Sequence, residues 1–144
     1  MKNIVLPAAA AKARLSPADA LMLIAIGACR ADGALHPQEL THLRMLVHLN
    51  PLYAAVDNVD RYIERWAAFS RDIGTQKSQE LAIAKLSSPL RETAYAWAVD
   101  VVYADNKQKQ PEHAFLQALR AKLGINGHLA GKIKAVTAIR NRFA

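Results

Sequence analysis

A chain of 144 residues, 52% apolar and 22% charged, has the composition of one globular domain, which excludes a disordered or fibrous protein. The single cysteine, Cys29, cannot form an internal disulfide, which excludes a disulfide-stapled scaffold and favours a reducing cytoplasm. The net charge of +7 lies mostly in the second half, where residues 73–144 carry eleven basic and five acidic side chains.

Helical signals follow one another along the whole chain after an N-terminal arm at residues 1–15. Ser16 is a favourable N-cap, Pro17 suits the first helical position, and Asp19 takes the capping-box position. Apolar spacing, with Pro, Gly and Asn at the boundaries, predicts six more helices, and no segment alternates as a strand would. We predict helices at about residues 17–31, 37–49, 57–73, 75–86, 89–104, 111–123 and 127–142.

The first and fifth of these helices are apolar almost all round and are expected to be the most buried. The longest apolar run, residues 20–29, is about half the length that crosses a bilayer, so no transmembrane segment is predicted. Residues 16–144 are therefore expected to form a single all-α domain.

The sequence repeats itself at a distance of 73 residues. The correspondence pairs Ala31-Asp32-Gly33 with Ala104-Asp105-Asn106, Glu39 with Glu112, Leu43 with Leu116, and Leu46 with Leu119. Glycine and asparagine both tolerate a left-handed helix end, so their exchange is physically reasonable. We expect two related helical hairpins, about residues 16–50 and 89–125, packed with approximate two-fold symmetry in an orthogonal bundle of about seven helices.

This repeated pattern, an apolar helix, Ala-Asp-Gly, a short gap, a glutamate and a leucine-rich helix, resembles the TerB-like family of tellurite-resistance proteins. The match covers about residues 15–125; the second copy departs at Asn106, Lys107 and Lys109. The resemblance implies a helical, non-enzymatic interaction module in tellurite, chemical or envelope stress response. It also implies a protein partner, membrane-bound in some cases, and a location in the cytoplasm or at the inner face of the membrane.

Four carboxylates of the repeat, Asp32, Glu39, Asp105 and Glu112, are candidate ligands for a hard divalent metal ion, the one cofactor that the sequence suggests. The alternative is helix capping, because carboxylates early in a helix favour the positive end of its dipole. In that case Asp32→Ala and Asp105→Ala should each cost about 1 kcal/mol of stability. No nucleophile motif, phosphate loop or paired-cysteine motif occurs, so no enzymatic activity is predicted.

The C-terminal end is basic, because no acidic residue follows Glu112. Lys132, Lys134, Arg140 and Arg142 are therefore candidates for a surface that meets an anionic partner. An apolar stripe is predicted at Leu129, Ile133, Val136, Ile139 and Phe143. Lys132 and Arg140 fall in or beside this stripe, whereas Lys134 and Arg142 fall away from it. Three roles for these basic residues stay open: simple solvation, contact with a membrane or an acidic protein, and weak binding of nucleic acid. Nucleic-acid binding is disfavoured because no base-reading motif accompanies the charge.

Overall fold

The computed structural model of the chain describes residues 15–29, 37–104 and 110–142. Within these ranges there are seven α-helices, one short 3₁₀ helix (Pro51–Tyr53) and no β-strand, which confirms the predicted all-α bundle of about seven helices. The α-helices are α1 (Pro17–Cys29), α2 (Pro37–Leu49), α3 (Val59–Ile73), α4 (Thr75–Ala84), α5 (Ser88–Val102), α6 (Gln110–Leu123) and α7 (Gly127–Arg140). The predicted N-terminal arm lies outside the described residues apart from Leu15.

The core is built around α1 and α5, as predicted from their apolar composition. Every residue from 20 to 29 in α1 is buried, and α5 buries six of its residues. These two helices form the most extensive contact between any two described helices. Around them, α3 and α4 cover α1, while α6 and α7 cover α5. A helix that is apolar all round is stable in water only when neighbours enclose it in this way.

Local hydrogen bonds explain where several helices begin and end. The Ser16 hydroxyl accepts from the Asp19 amide, and the Asp19 carboxylate accepts from the Ser16 amide, both at 3.1 Å, so the predicted capping box is present. Asn58 and Asn126 cap α3 and α7 in the same manner, each side chain accepting an amide hydrogen bond from the third residue of its helix. Gly74 ends α3 with a positive φ of 92°, a conformation that suits glycine.

The repeat is visible in the burial of corresponding residues. Glu39 and Glu112 are both buried, as are Leu43 and Leu116, and the members of each pair are 73 residues apart. The contacts repeat as well: α2 packs against α5, and α6 packs against α1. α4 has no counterpart among the described helices of the second half, and it therefore interrupts the two-fold symmetry. It packs against both α1 and α3.

Some predicted boundaries differ from the observed ones. The fifth helix was expected to reach residue 104 and the seventh residue 142, but they end at Val102 and Arg140. In the described ranges, no helix combines the length and the apolar character that crossing a bilayer requires.

Candidate functional site

The outer surface of α7 differs from its prediction. Ala130 and Thr137 are buried, but the side chains of Val136 and Ile139 are 52% and 55% exposed. The predicted apolar stripe is therefore wrong at Val136 and Ile139: the packed face is rotated toward Ala130, Ile133 and Thr137. The physical reason is that, among the described helices, α7 has one extensive neighbour, α5, which covers only part of its apolar surface.

A groove of about 290 Å³ runs between α5 and α7. We call it the α5–α7 groove; it is lined by Ala96, Asp100, Lys132, Ile133, Val136, Thr137 and Arg140. Its walls are mostly apolar, with the basic side chains of Lys132 and Arg140 on the α7 side. Such a combination of apolar surface and a few charged groups is typical of surfaces that bind another molecule.

Two of the four predicted basic residues, Lys132 and Arg140, line the α5–α7 groove and are exposed. Together with Val136 they occupy positions i, i+4 and i+8 of α7, so an apolar side chain lies between two cations along one stripe. Arg142 is exposed beyond the end of the helix. Lys134, which the sequence places away from the predicted apolar stripe, is half-buried.

Asp100 is the acidic group of the groove, and sequence reasoning missed it. Its side chain is only 17% exposed, and one carboxylate oxygen lies 3.7 Å from an Arg140 guanidinium nitrogen. Burial raises the pKa of Asp100 above its usual value, while the positive charges of Arg140 and His42 oppose that shift. The signal in the sequence was a lone acid within the apolar second half of α5.

The four predicted metal ligands are only partly within the described residues. Asp32 and Asp105 lie outside them. Glu39 and Glu112 stand in the first turns of α2 and α6 and are 4% and 2% exposed, although glutamate is rarely buried. Among the described residues, no group of three or more histidine, cysteine, aspartate or glutamate side chains is arranged to hold a metal ion.

A second cleft, of about 490 Å³, lies beside the start of α1 and combines charges of both signs. Its lining includes Asp19 and Asp57 on the acidic side and Arg61 and Arg65 on the basic side. The Tyr62 hydroxyl donates a 2.6 Å hydrogen bond to the Asp19 carboxylate. Burial first, and then this bond to Asp19, raise the pKa of Tyr62 well above its usual value. This contact joins α1 to α3, so the cleft lies where the two helices meet and its polar side chains stabilise that contact.

Exposed apolar side chains also occur at the end of α2 and in the 3₁₀ helix, where Met45, Leu49 and Leu52 face solvent. The cleft of about 390 Å³ that includes Leu49 contains no lysine or arginine. In its described lining, this cleft lacks the lysine and arginine side chains of the α5–α7 groove, whereas Leu52 also lines the cleft that contains Arg61 and Arg65.

Comparison of the chain with models of protein families, with curated proteins and with solved structures gave no match. The TerB-like resemblance accordingly stays a prediction from the repeated motif. Among the described residues, the α5–α7 groove joins the exposed apolar side chain of Val136 to the basic side chains of Lys132 and Arg140.

Proposed function

We propose that the chain is a non-enzymatic helical interaction module that binds an anionic partner through the α5–α7 groove. The observation that supports this proposal is the exposed apolar surface of α7 between two exposed cations, Lys132 and Arg140. Removing valine and isoleucine side chains from water lowers the free energy, so covering them stabilises a complex with a partner. The basic C-terminal end steers acidic partners toward the same surface.

The resemblance to TerB-like proteins supports a place for this module in the response to tellurite, other chemical stress or envelope stress. A cytoplasmic location, including the inner face of the membrane when the partner resides there, fits the same proposal. The partner that we favour is a protein, because the groove is concave and its lining combines apolar side chains with a few charged ones.

Photo-crosslinking in cells tests the proposed surface directly. A photoreactive phenylalanine analogue in place of Val136 should give a discrete crosslinked product, whereas the same analogue in place of exposed Gln76 on α4 should not. In a strain that lacks the chain, Lys132→Glu should restore growth on tellurite less well than the wild type. Lys77→Glu makes the same charge change on α4 and should restore it fully.

Two results together would contradict the proposal. These are full complementation by Lys132→Glu and the same crosslinking pattern from position 136 as from position 76. The steady-state level of each variant, measured by immunoblot, separates loss of binding from loss of protein.

A second candidate function, binding of a divalent metal ion, comes from the repeated acidic motif, in which the buried Glu39 and Glu112 stand 73 residues apart. A buried carboxylate is costly unless hydrogen bonds, a charge partner or a metal ion compensates it. Both residues also lie in the first turn of a helix, where the dipole alone favours a negative charge. Capping therefore explains these glutamates with fewer assumptions.

Calorimetric titration of the full chain with Mg²⁺, Mn²⁺ and Zn²⁺ separates the two explanations. If Glu39 caps α2, no saturable binding occurs, and Glu39→Gln lowers the free energy of unfolding by about 1 kcal/mol. Glu64→Gln on the exposed surface of α3 is the matched control and should change neither quantity. A saturable site that Glu39→Gln abolishes and Glu64→Gln preserves would establish metal binding instead.

A further inference from the structure

The α5–α7 groove has dimensions and chemistry that indicate one class of partner. Lys132 and Arg140 are eight residues apart on α7, which corresponds to about 12 Å along the helix axis. Val136 lies midway between them on the same stripe, and Ile139 extends the exposed apolar surface by one further side chain. A complementary ligand therefore carries two negative charges about two helical turns apart, with apolar side chains between them.

An amphipathic α-helix presents such a pattern, because residues at i, i+4 and i+8 share one face. A helix that lies in a groove between two others anchors itself through apolar side chains at this spacing. From this match of spacing and charge we infer that the occupant of the α5–α7 groove is an acidic amphipathic helix of a partner protein. This inference rests on the proposed function and names the chemistry of the partner.

A flat anionic membrane fits the groove less well. Asp100, only 17% exposed, lies in the groove below the cations and would repel lipid phosphates, whereas a helix can direct its acids outward to Lys132 and Arg140. The described part of α7 carries no aromatic residue of the kind that anchors interfacial helices in lipid headgroups.

Nucleic acid also fits less well than a helix. The cationic stripe that faces the groove holds two basic side chains separated by valine, and Lys134 is half-buried on the packed side of α7. A phosphate-tracking surface uses many exposed cations in a row, and base stacking requires an aromatic platform. The described lining of the groove offers neither.

The test uses the full chain and a fluorescein-labelled, end-capped 15-residue peptide in which leucine recurs every third or fourth residue and glutamate flanks the leucines. Fluorescence anisotropy should show saturable binding with a micromolar Kd that weakens from low to physiological salt. The peptide should gain helicity on binding, measured at 222 nm by circular dichroism. A peptide with lysine in place of glutamate, and one with a central proline, should each bind at least about tenfold more weakly.

Variants of the chain locate the binding surface. Lys132→Glu and Val136→Ser each leave the Asp100–Arg140 pair intact, so the helix α7 should stay folded, and each should raise the Kd at least about fivefold. Lys77→Glu makes the same charge change away from the groove, and Leu49→Ser removes an exposed apolar side chain elsewhere. Both controls should leave the Kd within about twofold of the wild type.

Equal losses in the groove variants and the controls, or no saturable binding to the acidic peptide, would overturn the acidic-helix inference. Phosphatidylserine vesicles and duplex DNA serve as the competing ligands. If either binds more tightly than the peptide and loses affinity in Lys132→Glu, the groove still meets an anionic partner but the helix inference is wrong. If crosslinking at position 136 also fails in cells, the proposed function is wrong as well as the helix inference.

Discussion

Helices α1 and α7 have nearly the same length, 13 and 14 residues, and both are rich in small and apolar side chains, yet the fold treats them differently. α1 is enclosed by α3, α4 and α5, and every residue from 20 to 29 is buried. α7 packs mainly on α5 and leaves Val136 and Ile139 half in solvent. The difference teaches that the number of neighbouring helices, more than composition, decides whether an apolar residue stabilises the fold or remains available for a partner.

The largest expected effect is in the core of α1. Leu21 is fully buried, so Leu21→Ala removes apolar contacts and leaves a cavity, which should lower the free energy of unfolding by about 2–5 kcal/mol. Val136→Ala on α7 should change it by no more than about 0.5 kcal/mol. Urea unfolding followed by circular dichroism measures both. Similar losses in the two variants would mean that the contrast between the helices is incorrect.

The next effect concerns the anchor of α1. Tyr62→Phe removes the hydroxyl that donates to Asp19 and should cost about 1–2 kcal/mol at neutral pH. Tyr95→Phe is the control, because the buried Tyr95 hydroxyl has no hydrogen-bond partner among the described residues, and its effect at neutral pH should be smaller.

Stability should also depend on alkaline pH through Tyr53 and Tyr62. Burial raises the pKa of both hydroxyls in the folded chain, whereas tyrosine in the unfolded chain loses its proton near pH 10. Their contribution is therefore complete below about pH 10 and is lost as the pH rises toward the folded-state values. Melting temperatures of the wild type should fall in this window, and those of Tyr62→Phe should fall less steeply. If melting temperature falls equally steeply with pH in the wild type and in Tyr62→Phe, Tyr62 does not cause the loss of stability.

Removing the N-cap of α1 and removing that of α7 should affect hydrogen exchange over different parts of the fold. Asn126→Ala and Ser16→Ala each remove a side-chain hydrogen bond to a helix amide and should cost about 1 kcal/mol. Because α7 has few neighbours among the described helices, Asn126→Ala should accelerate hydrogen exchange mainly in the first turn of α7. Ser16→Ala should instead lower protection throughout the enclosed core, since α1 opens only when its neighbours do. If hydrogen exchange accelerates only near the substituted residue in both variants, α1 and α7 do not differ in this respect.

A smaller effect, of the opposite sign, is expected at the helical glycines. A Cβ atom at Gly27 of α1 would lie 3.6 Å from the Phe115 ring and 3.7 Å from the Thr75 methyl carbon, which are ordinary contact distances. Gly27→Ala should therefore stabilise the fold by about 0.5–1 kcal/mol through helix propensity. Gly131→Ala on α7 meets open space and should give a similar gain. A loss confined to Gly27→Ala would show that the core around α1 has no room for a methyl group.

The smallest expected effect on stability lies in the α5–α7 groove. Burial raises the pKa of Asp100 in the folded chain, so the fold favours the protonated form; this contribution is present below about pH 4 and is lost as the pH rises through the folded-state pKa. Asp100→Asn should therefore be neutral or stabilising by a few tenths of a kcal/mol at about pH 7, with no gain below about pH 4. The same variant should strengthen binding of the acidic peptide, because it removes a negative charge. A marked loss of stability would mean that the pair with Arg140 outweighs the burial of Asp100.

Several features of the fold were predictable because they depend on neighbours in the sequence. The capping box of Ser16 and Asp19 spans three residues, and the end of α3 at Gly74 follows from the conformational freedom of glycine. The repeat was visible because corresponding residues, such as Glu39 and Glu112 or Leu43 and Leu116, lie 73 positions apart. Periodicity also identified Ile133 as part of an apolar face of α7, although it could not show how much of that face another helix covers.

The candidate site was harder to predict, since it joins residues that are far apart in the chain. Lys132 and Arg140 were identified from charge alone, but their alignment with Val136 beside α5 required the packing of the two helices. Asp100 meets Arg140 across forty residues, and Tyr62 meets Asp19 across forty-three. No local pattern contains such pairs.

The sequence by itself determined the all-α class, the seven helices, the capping box at the start of α1 and the glycine at the end of α3, because backbone hydrogen bonds, caps and apolar periodicity act over a few residues. The tertiary structure alone decided that α1 is enclosed while α7 keeps an exposed apolar side, and that Asp100 lies beneath Arg140 in the α5–α7 groove. The physical reason is that burial depends on which helices come together, and that choice reflects the free energy of packing the whole chain.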